Sequence, residues 1–320
     1  MKLRYLVYGI LIGIVPLAFV MFFGNHSEIL SIGAASFSDS AGAYHRNVTE
    51  LTVPTELYLF GKKLPLDNWE IKERFEREFY YNYTNTDQLI LWYKRLKRWE
   101  RMVDSSLDAN KLDRDFKYLM VAESGVRNVE SPAKANGFWQ FIPPTGQLWG
   151  LRVDKDIDER LDPALATAAA MRYIVKLRDQ FHRDPLLAAA AYNMNETNVQ
   201  QVLDYQHQTS YWNIFVNEET MRYIFRIAAI KELLEHGPKY GLRFTGVSPY
   251  LPWEVTYVSV TGPIESIADW AVEKGYSYKD VKIYNPWLIS RSIPSGNFRI
   301  ALPASEKART TISISDNSTH

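Results

Sequence analysis

The octapeptide Tyr118-Leu119-Met120-Val121-Ala122-Glu123-Ser124-Gly125 places a lone carboxylate at the end of an apolar run. Removal from water disfavours the charged form of such a group and raises its pKa unless a cation or hydrogen bonds compensate. A general acid working near neutral pH needs that property, because it must still hold its proton. The ordinary structural reading is a helix-end Glu paired with Arg127 or left half-solvated, and ion-paired carboxylates outnumber catalytic ones.

Two further strings follow: Gly137-Phe138-Trp139-Gln140-Phe141-Ile142-Pro143, then Ala190-Ala191-Tyr192-Asn193. Taken singly, the first reads as a turn packed on the core, since large rings dominate core burial. The second reads as close helix packing with a locally satisfied Tyr hydroxyl.

The flanking chain is read as helical. One amphipathic helix is expected over 68–80, and another carries Leu89, Leu91, Trp92, Leu96, Trp99 and Met102 at three-to-four spacing. Asp162-Pro163 caps and opens an Ala-rich helix, and Asp184-Pro185 does the same for the run ending at Tyr192-Asn193. Another helix begins near Glu196. Asn217 caps a long helix reaching His236, with a stop at Gly237-Pro238. No βαβ alternation interrupts 68–241. Beyond Pro252 the pattern changes to strand (Val255 to Val260), helix (Ile264 to Ala271), helix (Tyr278 to Tyr284) and strand (Phe298 to Pro303), a βααβ module. The expected fold is therefore mainly α, a helical domain followed by a small α+β module. The expected divisions are 1–24 (membrane anchor or signal segment), 25–52 (linker), 53–247 (helical domain), 252–303 (module) and 304–320 (a disordered Ser/Thr-rich tail).

Composition narrows the function classes. Acidic and basic side chains balance at 37 each, so no net field recruits nucleic acid or an anionic surface. Cys is absent, which excludes disulfides, a thiol nucleophile and a lipid-modified Cys, and leaves the redox compartment undecided. The six His are scattered without metal-site spacing, and neither metal nor cofactor is expected. Twenty Tyr and nine Trp suit carbohydrate clefts, though they suit ordinary cores equally. Lys2 and Arg4 precede an uncharged stretch from Tyr5 to Phe23, which at helical rise covers roughly 28 Å of hydrocarbon. Gly24-Asn25-His26-Ser27 follows without a small-x-small cleavage site. An uncleaved anchor is favoured over a cleaved signal, despite Pro16 within the span. Positive charge ahead of the span sends the rest of the chain across the membrane.

In order and spacing, Glu123-Ser124, Gly137-x-x-Gln140-Phe141-x-Pro143, Ala191-Tyr192-Asn193 and Glu219-Thr220-Met221-Arg222-Tyr223 together resemble the lytic murein transglycosylases of glycoside hydrolase family 23, the type D membrane-bound kind in particular. Goose-type lysozymes share that fold, so the resemblance implies a lysozyme-like helical domain. It also implies Glu123 as sole catalytic acid and base, cleaving the bond between N-acetylmuramic acid and N-acetylglucosamine to leave a 1,6-anhydro sugar. Substrate contacts are implied for Ser124, Phe138, Trp139, Gln140, Phe141, Tyr192, Asn193, Glu219 and Tyr223. Gln140 is expected to hydrogen-bond the sugar, Tyr192 to lie over the scissile site, and the three rings at 138, 139 and 141 to keep the acid dry. Ser124 is assigned a lesser, local role. Glu219 sits near the cleft floor on the family reading; as a helix-start carboxylate it has an equal structural explanation.

One departure is visible. The family continues A-Y-N with a small residue and Gly, whereas this chain has Met194-Asn195. Asn tolerates positive φ better than other non-Gly residues, so Asn195 is expected to hold the same turn. The C-terminal module resembles a degenerate LysM domain lacking the usual Gly-Asp-Thr turn, so glycan binding and structural capping stand level. The expected partners are peptidoglycan strands, plus the membrane through the N-terminal segment; protein partners are unknown. The expected location is the cell envelope, anchored in the inner membrane and facing the periplasm, or free in the periplasm if the segment is cleaved. A hydrolytic muramidase and an inactive glycan-binding scaffold remain as alternatives.

Overall fold

The computed structural model describes residues 51–306. The expected anchor, nearly all of the linker and most of the tail lie outside them. Among the described residues no helix is long and apolar enough to cross a membrane.

The helical part opens with a small hairpin, β1 (Tyr58–Leu59) and β2 (Lys62–Lys63), turned by Phe60 and Gly61, both at positive φ. Then come α1 (Trp69–Tyr83), α2 (Thr86–Ala109), α3 (Phe116–Ser124), α4 (Pro143–Leu148), α5 (Pro163–Gln180), α6 (Pro185–Met194), α7 (Glu196–Gln206) and α8 (Glu218–His236). The starts follow local chemistry. The Asn68 side chain accepts from the backbone N–H of Glu70 and Ile71, Asp162 from Ala164 and Leu165, Asp184 from Leu186 and Leu187, and Asn217 from Thr220. Each satisfies donors that the first helical turn leaves without intrahelical partners. Proline at the first position of α5 and α6 removes one more.

Helix α8 is the hub: it packs on α1, α3 and α6, and Tyr223, Ile224, Phe225, Ile227, Ala228, Ala229, Ile230 and Leu233 are all buried. Helix α6 lies among α5, α7 and α8 with Ala188, Ala189, Ala190 and Ala191 fully enclosed, so its backbone approaches its neighbours at methyl distance. Helix α3 is likewise buried over most of its length and ends at Gly125 in the left-handed conformation (φ 61°), the usual glycine stop.

The C-terminal module consists of β3 (Val255–Ile264), α9 (Ile267–Glu273), α10 (Tyr278–Tyr284) and β4 (Ile293–Pro303). β3 and β4 pair antiparallel from Val255↔Pro303 to Gly262↔Gly296, with an irregularity before Ile264↔Ile293. The module has its own core, including Ile267, Trp270, Val281, Leu288, Ile293 and Ile300. Asn285, fully buried, accepts from the Ala301 N–H and donates to the carbonyls of Val281 and Ala301, tying the end of α10 to β4.

Both strands are longer than side-chain alternation suggests. Alternation ends β3 at Val260 and opens β4 at Phe298, whereas cross-strand pairing carries the ladder through Gly262-Pro263 and back to Ile293. The following helix correspondingly starts three residues late, at Ile267, capped by Ser266. The stretch 125–142 is irregular apart from one isolated bridge, Asn136↔Phe141, and α4 has no strong start signal of its own beyond Pro143.

Candidate active site

Glu123 sits in the last turn of α3, half-buried. Its carboxyl receives the hydroxyl hydrogen bond of Tyr223, a fully enclosed residue one turn into α8. Loss of solvent is the largest influence on this carboxyl and pushes it up from 4.5 to about 7; the Tyr223 bond and the nearby Arg226 charge pull the other way, and Glu219 adds a smaller upward push. Arg127 is not its partner. That side chain and its own N–H turn back to Ser124, bonding the Ser124 carbonyl and hydroxyl.

The 137–141 turn lies against this helix end. Ser124 Oγ donates to the Phe138 carbonyl at 2.9 Å, and Tyr192 Oη donates to the Trp139 carbonyl at 2.7 Å. Two residues that flank Glu123 in space thus clamp consecutive carbonyls of one turn. The Tyr192 ring packs on Phe141 and Tyr173, with centroids 6.2 and 5.3 Å away. Its hydroxyl pKa is raised well above 10, by burial first and then by the negative charge of Glu123. Gln140 takes positive φ (50°), and its amide nitrogen donates to the carbonyls of Val129 and Gly137. Only Oε1 of that half-buried amide is left to meet a ligand.

Several expectations need correction. Trp139 is 1% exposed and its indole N–H donates to Thr167 Oγ1, so it is a core residue that cannot touch a sugar. Phe138 and Phe141 are also buried; they back the site rather than face it. Ser124 is enclosed with its hydroxyl committed to the Phe138 carbonyl, which makes it a positioning group. Glu219 is exposed and paired through both oxygens with Arg226 (2.8 and 3.2 Å), and this partner lowers its pKa. Asn193 Oδ1 accepts from Thr220 Oγ1 at 2.8 Å and joins α6 to α8. Asn195 does take positive φ (76°, ψ 143°), and its side chain caps α7 by accepting from the Thr197 N–H.

Residues not singled out from sequence also converge. Arg222 and Arg226 both reach Glu78, a buried carboxylate on α1, at 2.5 and 3.7 Å. The spacing of Glu219, Arg222, Tyr223 and Arg226 places them along one side of α8, a periodicity that sequence alone displays. Trp92 of α2 lies over Gly125: a Cβ there would stand 2.6 Å from its indole nitrogen. Val126, β-branched and buried, follows Gly125 in the same positive-φ region (58°), a strained position for Val three residues past Glu123.

Residues 106–215 match the transglycosylase SLT domain family, and 256–306 match the soluble lytic transglycosylase C-terminal LysM-like domain. Residues 106–215 form an SLT domain. It contains Glu123, the 137–141 turn, Tyr192 and Asn193, while Glu219 and Tyr223 lie past the matched stretch of the SLT domain, on α8. Among curated proteins, the chain is 25% identical over 273 residues to "Membrane-bound lytic murein transglycosylase D" of Escherichia coli K12, covering 82% of this chain and 59% of that one; the same protein of strain O6:H1 matches equally. "Peptidoglycan transglycosylase gp16" of Escherichia phage T7 is 34% identical over 101 residues, 31% of this chain and 8% of the phage protein. The chain thus spans about three-fifths of the length of the E. coli relatives.

Proposed function

We propose that this protein is a peptidoglycan lytic transglycosylase that cleaves the β-1,4 bond between N-acetylmuramic acid and N-acetylglucosamine without water. The observation that carries this reading is Glu123, half-buried, held to about pH 7 by its dry surroundings and hydrogen-bonded by Tyr223. At neutral pH such a group is populated in both protonation states, as a residue acting first as acid and then as base requires.

Protonated Glu123 gives its proton to the glycosidic oxygen as the bond breaks toward an oxocarbenium-like transition state. The substrate's 2-acetamido group stabilises the developing cation in place of a second carboxylate. The anion left on Glu123 is stabilised by the Tyr223 hydroxyl and then takes the proton of the sugar's 6-hydroxyl. That oxygen closes on C1 to give the 1,6-anhydro product. Gln140 Oε1 accepts from a sugar N–H or O–H, and the Tyr192 ring borders the scissile linkage. The N-terminal segment 1–24 holds the protein at the inner membrane with residues 53–247 and 252–303 on the periplasmic side.

Digestion of purified sacculi by the wild type and by Glu123→Gln, read by mass spectrometry, tests the proposal. The expected products are muropeptides one water lighter than hydrolysed ends, absent with the variant. Hydrolysed ends would make the protein a muramidase, and sacculus binding without soluble products would make it a scaffold.

A further inference from the structure

Arg152 lies over the Phe298 ring of the LysM-like module at 5.9 Å, and two other routes of contact between the module and the helical domain end at the 137–141 turn. On the first, the module lends a short bridge to the loop before α5. Ile157 pairs antiparallel with Leu288, the Asp158 N–H donates to the Trp287 carbonyl at 2.8 Å, and the Ile289 N–H donates to the Asp156 carbonyl at 3.0 Å. Ile157 is fully buried inside the module's own core, so the contact is a shared interior and not a surface touch. Asp158 then grips Arg160 through two oxygens (2.8 and 2.7 Å), both side chains being enclosed. The remaining arm of Arg160 donates to the carbonyls of Phe141 (2.8 Å) and Lys134 (2.7 Å), one at each end of the loop carrying the turn. The Arg160 backbone also presses on the turn's first residue: a Cβ on Gly137 would lie 1.9 Å from the Arg160 carbonyl oxygen.

The second route is aromatic. Phe138 meets Trp99 of α2 edge-on at 5.6 Å, Trp99 meets Trp253 at 4.8 Å, and Trp253 meets Tyr284 of α10 at 5.1 Å. The chain leading to Trp253 is strapped to the same helix, with Arg98 Nε donating to the Leu251 carbonyl at 2.8 Å and the Tyr250 N–H donating to the Lys94 carbonyl at 3.2 Å.

We propose that the C-terminal module is a buttress for the turn whose carbonyls hold Ser124 and Tyr192 beside Glu123, with Arg160 as the positioning residue that transmits its support. The loop from 125 to 142 makes several turn bonds within itself, while its Lys134, Phe138 and Trp139 carbonyls find partners outside it, in Arg160, Ser124 and Tyr192. A guanidinium can satisfy two carbonyls while paired to a carboxylate, and its planar fork does so in one fixed orientation. The module holds the Asp158 backbone N–H from one side while Val153 bridges that residue from the other, and Asp158 fixes that fork. A site held within about half an ångström by such supports loses rate, more than substrate affinity, when they loosen.

The proposal rests on the transglycosylase reading for its kinetic consequence alone, and the test separates the two. Trp253→Ala alters the aromatic route and Leu288→Ala the bridge, and both leave the Arg160 pair in place; both are made in the full chain. Amide hydrogen exchange over 134–141 is read alongside kcat and KM on sacculi and the melting of the helical domain. The expected result is at least tenfold faster exchange across the turn in each variant and a fall of about tenfold in kcat, with KM and sacculus binding within twofold of wild type. Arg160→Lys, which keeps the charge and loses the fork, is expected to reproduce both effects. Unchanged exchange at 134–141 in the module variants overturns the buttress whatever the enzyme does. Loss of sacculus binding with kcat intact overturns it in favour of a glycan grip. If the wild type releases no muropeptides, the transglycosylase reading fails, while the exchange data still decide the buttress.

Discussion

Replacing Glu123 by Gln should stabilise the protein, by an amount that depends on pH. In the fold the carboxyl titrates at about 7, against an ordinary 4.5, because burial penalises its charged form. Between those values the folded chain binds a proton that the unfolded chain has released, so stability falls as pH rises through the window. Below about pH 4 the group is neutral in both states and the penalty vanishes. Above pH 7 it is fully present. The distance from 4.5 to about 7, at about 1.36 kcal/mol per pH unit, corresponds to a burden of about 3 kcal/mol. Gln keeps the shape and can still accept the Tyr223 hydroxyl, but never ionises. Thermal melts of both proteins at about pH 4 and about pH 8.5 would measure the difference, expected to be near zero in acid and roughly 6–10 °C in favour of the variant in base. An offset of the same size at both pH values would refute the reasoning, since it would show that the change acts through packing and not through the charge. A less stable variant at high pH would refute it more directly.

Tyr223→Phe removes the donor that favours the carboxylate. Hydrogen bonds to charged groups contribute about 1.5–3 kcal/mol, so the Glu123 pKa should climb by about one to two pH units, and the alkaline limb of the kcat/KM profile should move up with it. A limb that stays put or moves down would show that this bond does not set the acid's ionisation. Asn195 occupies backbone space (φ 76°, ψ 143°) that is close to glycine territory, at a cost of order 1–3 kcal/mol, whereas a Gly cap loses only a few tenths. Asn195→Gly is therefore expected to add about 1 kcal/mol of stability and so raise the urea midpoint, and a lowered midpoint would mean that capping of Thr197 outweighs the strain.

What could be read ahead of the structure was whatever is decided within one helical turn. Asp162-Pro163, Asp184-Pro185 and Asn217 announce their helices because cap and first-turn donors are neighbours in sequence, and each accepts the bonds expected of it. Tyr278–Tyr284 was legible for the same reason, being opened by a Ser277–Asp280 capping box. The strand limits were not, because the reach of a ladder is set by its partner: β3 continues past Pro263 only as far as β4 meets it. Within the site, Glu123 stood out as a carboxylate in apolar sequence, and its partner Tyr223 lay in a motif one hundred residues away. The misreading of Trp139 has a plain cause. Taken singly its string reads as a turn packed on the core, the resemblance set that reading aside, and the Thr167 hydroxyl beneath its indole N–H together with its burial restores it. Arg160 carries no local signal at all, since its task is to reach carbonyls of residues 134 and 141 across an irregular loop.

The alanine run at 188–191 sets how finely this site can be adjusted. Along those four positions the inward groups are all single carbons, so no long side chain there can swing aside when something larger arrives, and one added methylene must shift the whole rod. Tyr192 rides on the end of that rod, and through its hydroxyl it steers the Trp139 carbonyl. Drift in this protein's sequence is therefore free to redecorate the exposed surface around Glu123 but has almost no room beneath Tyr192.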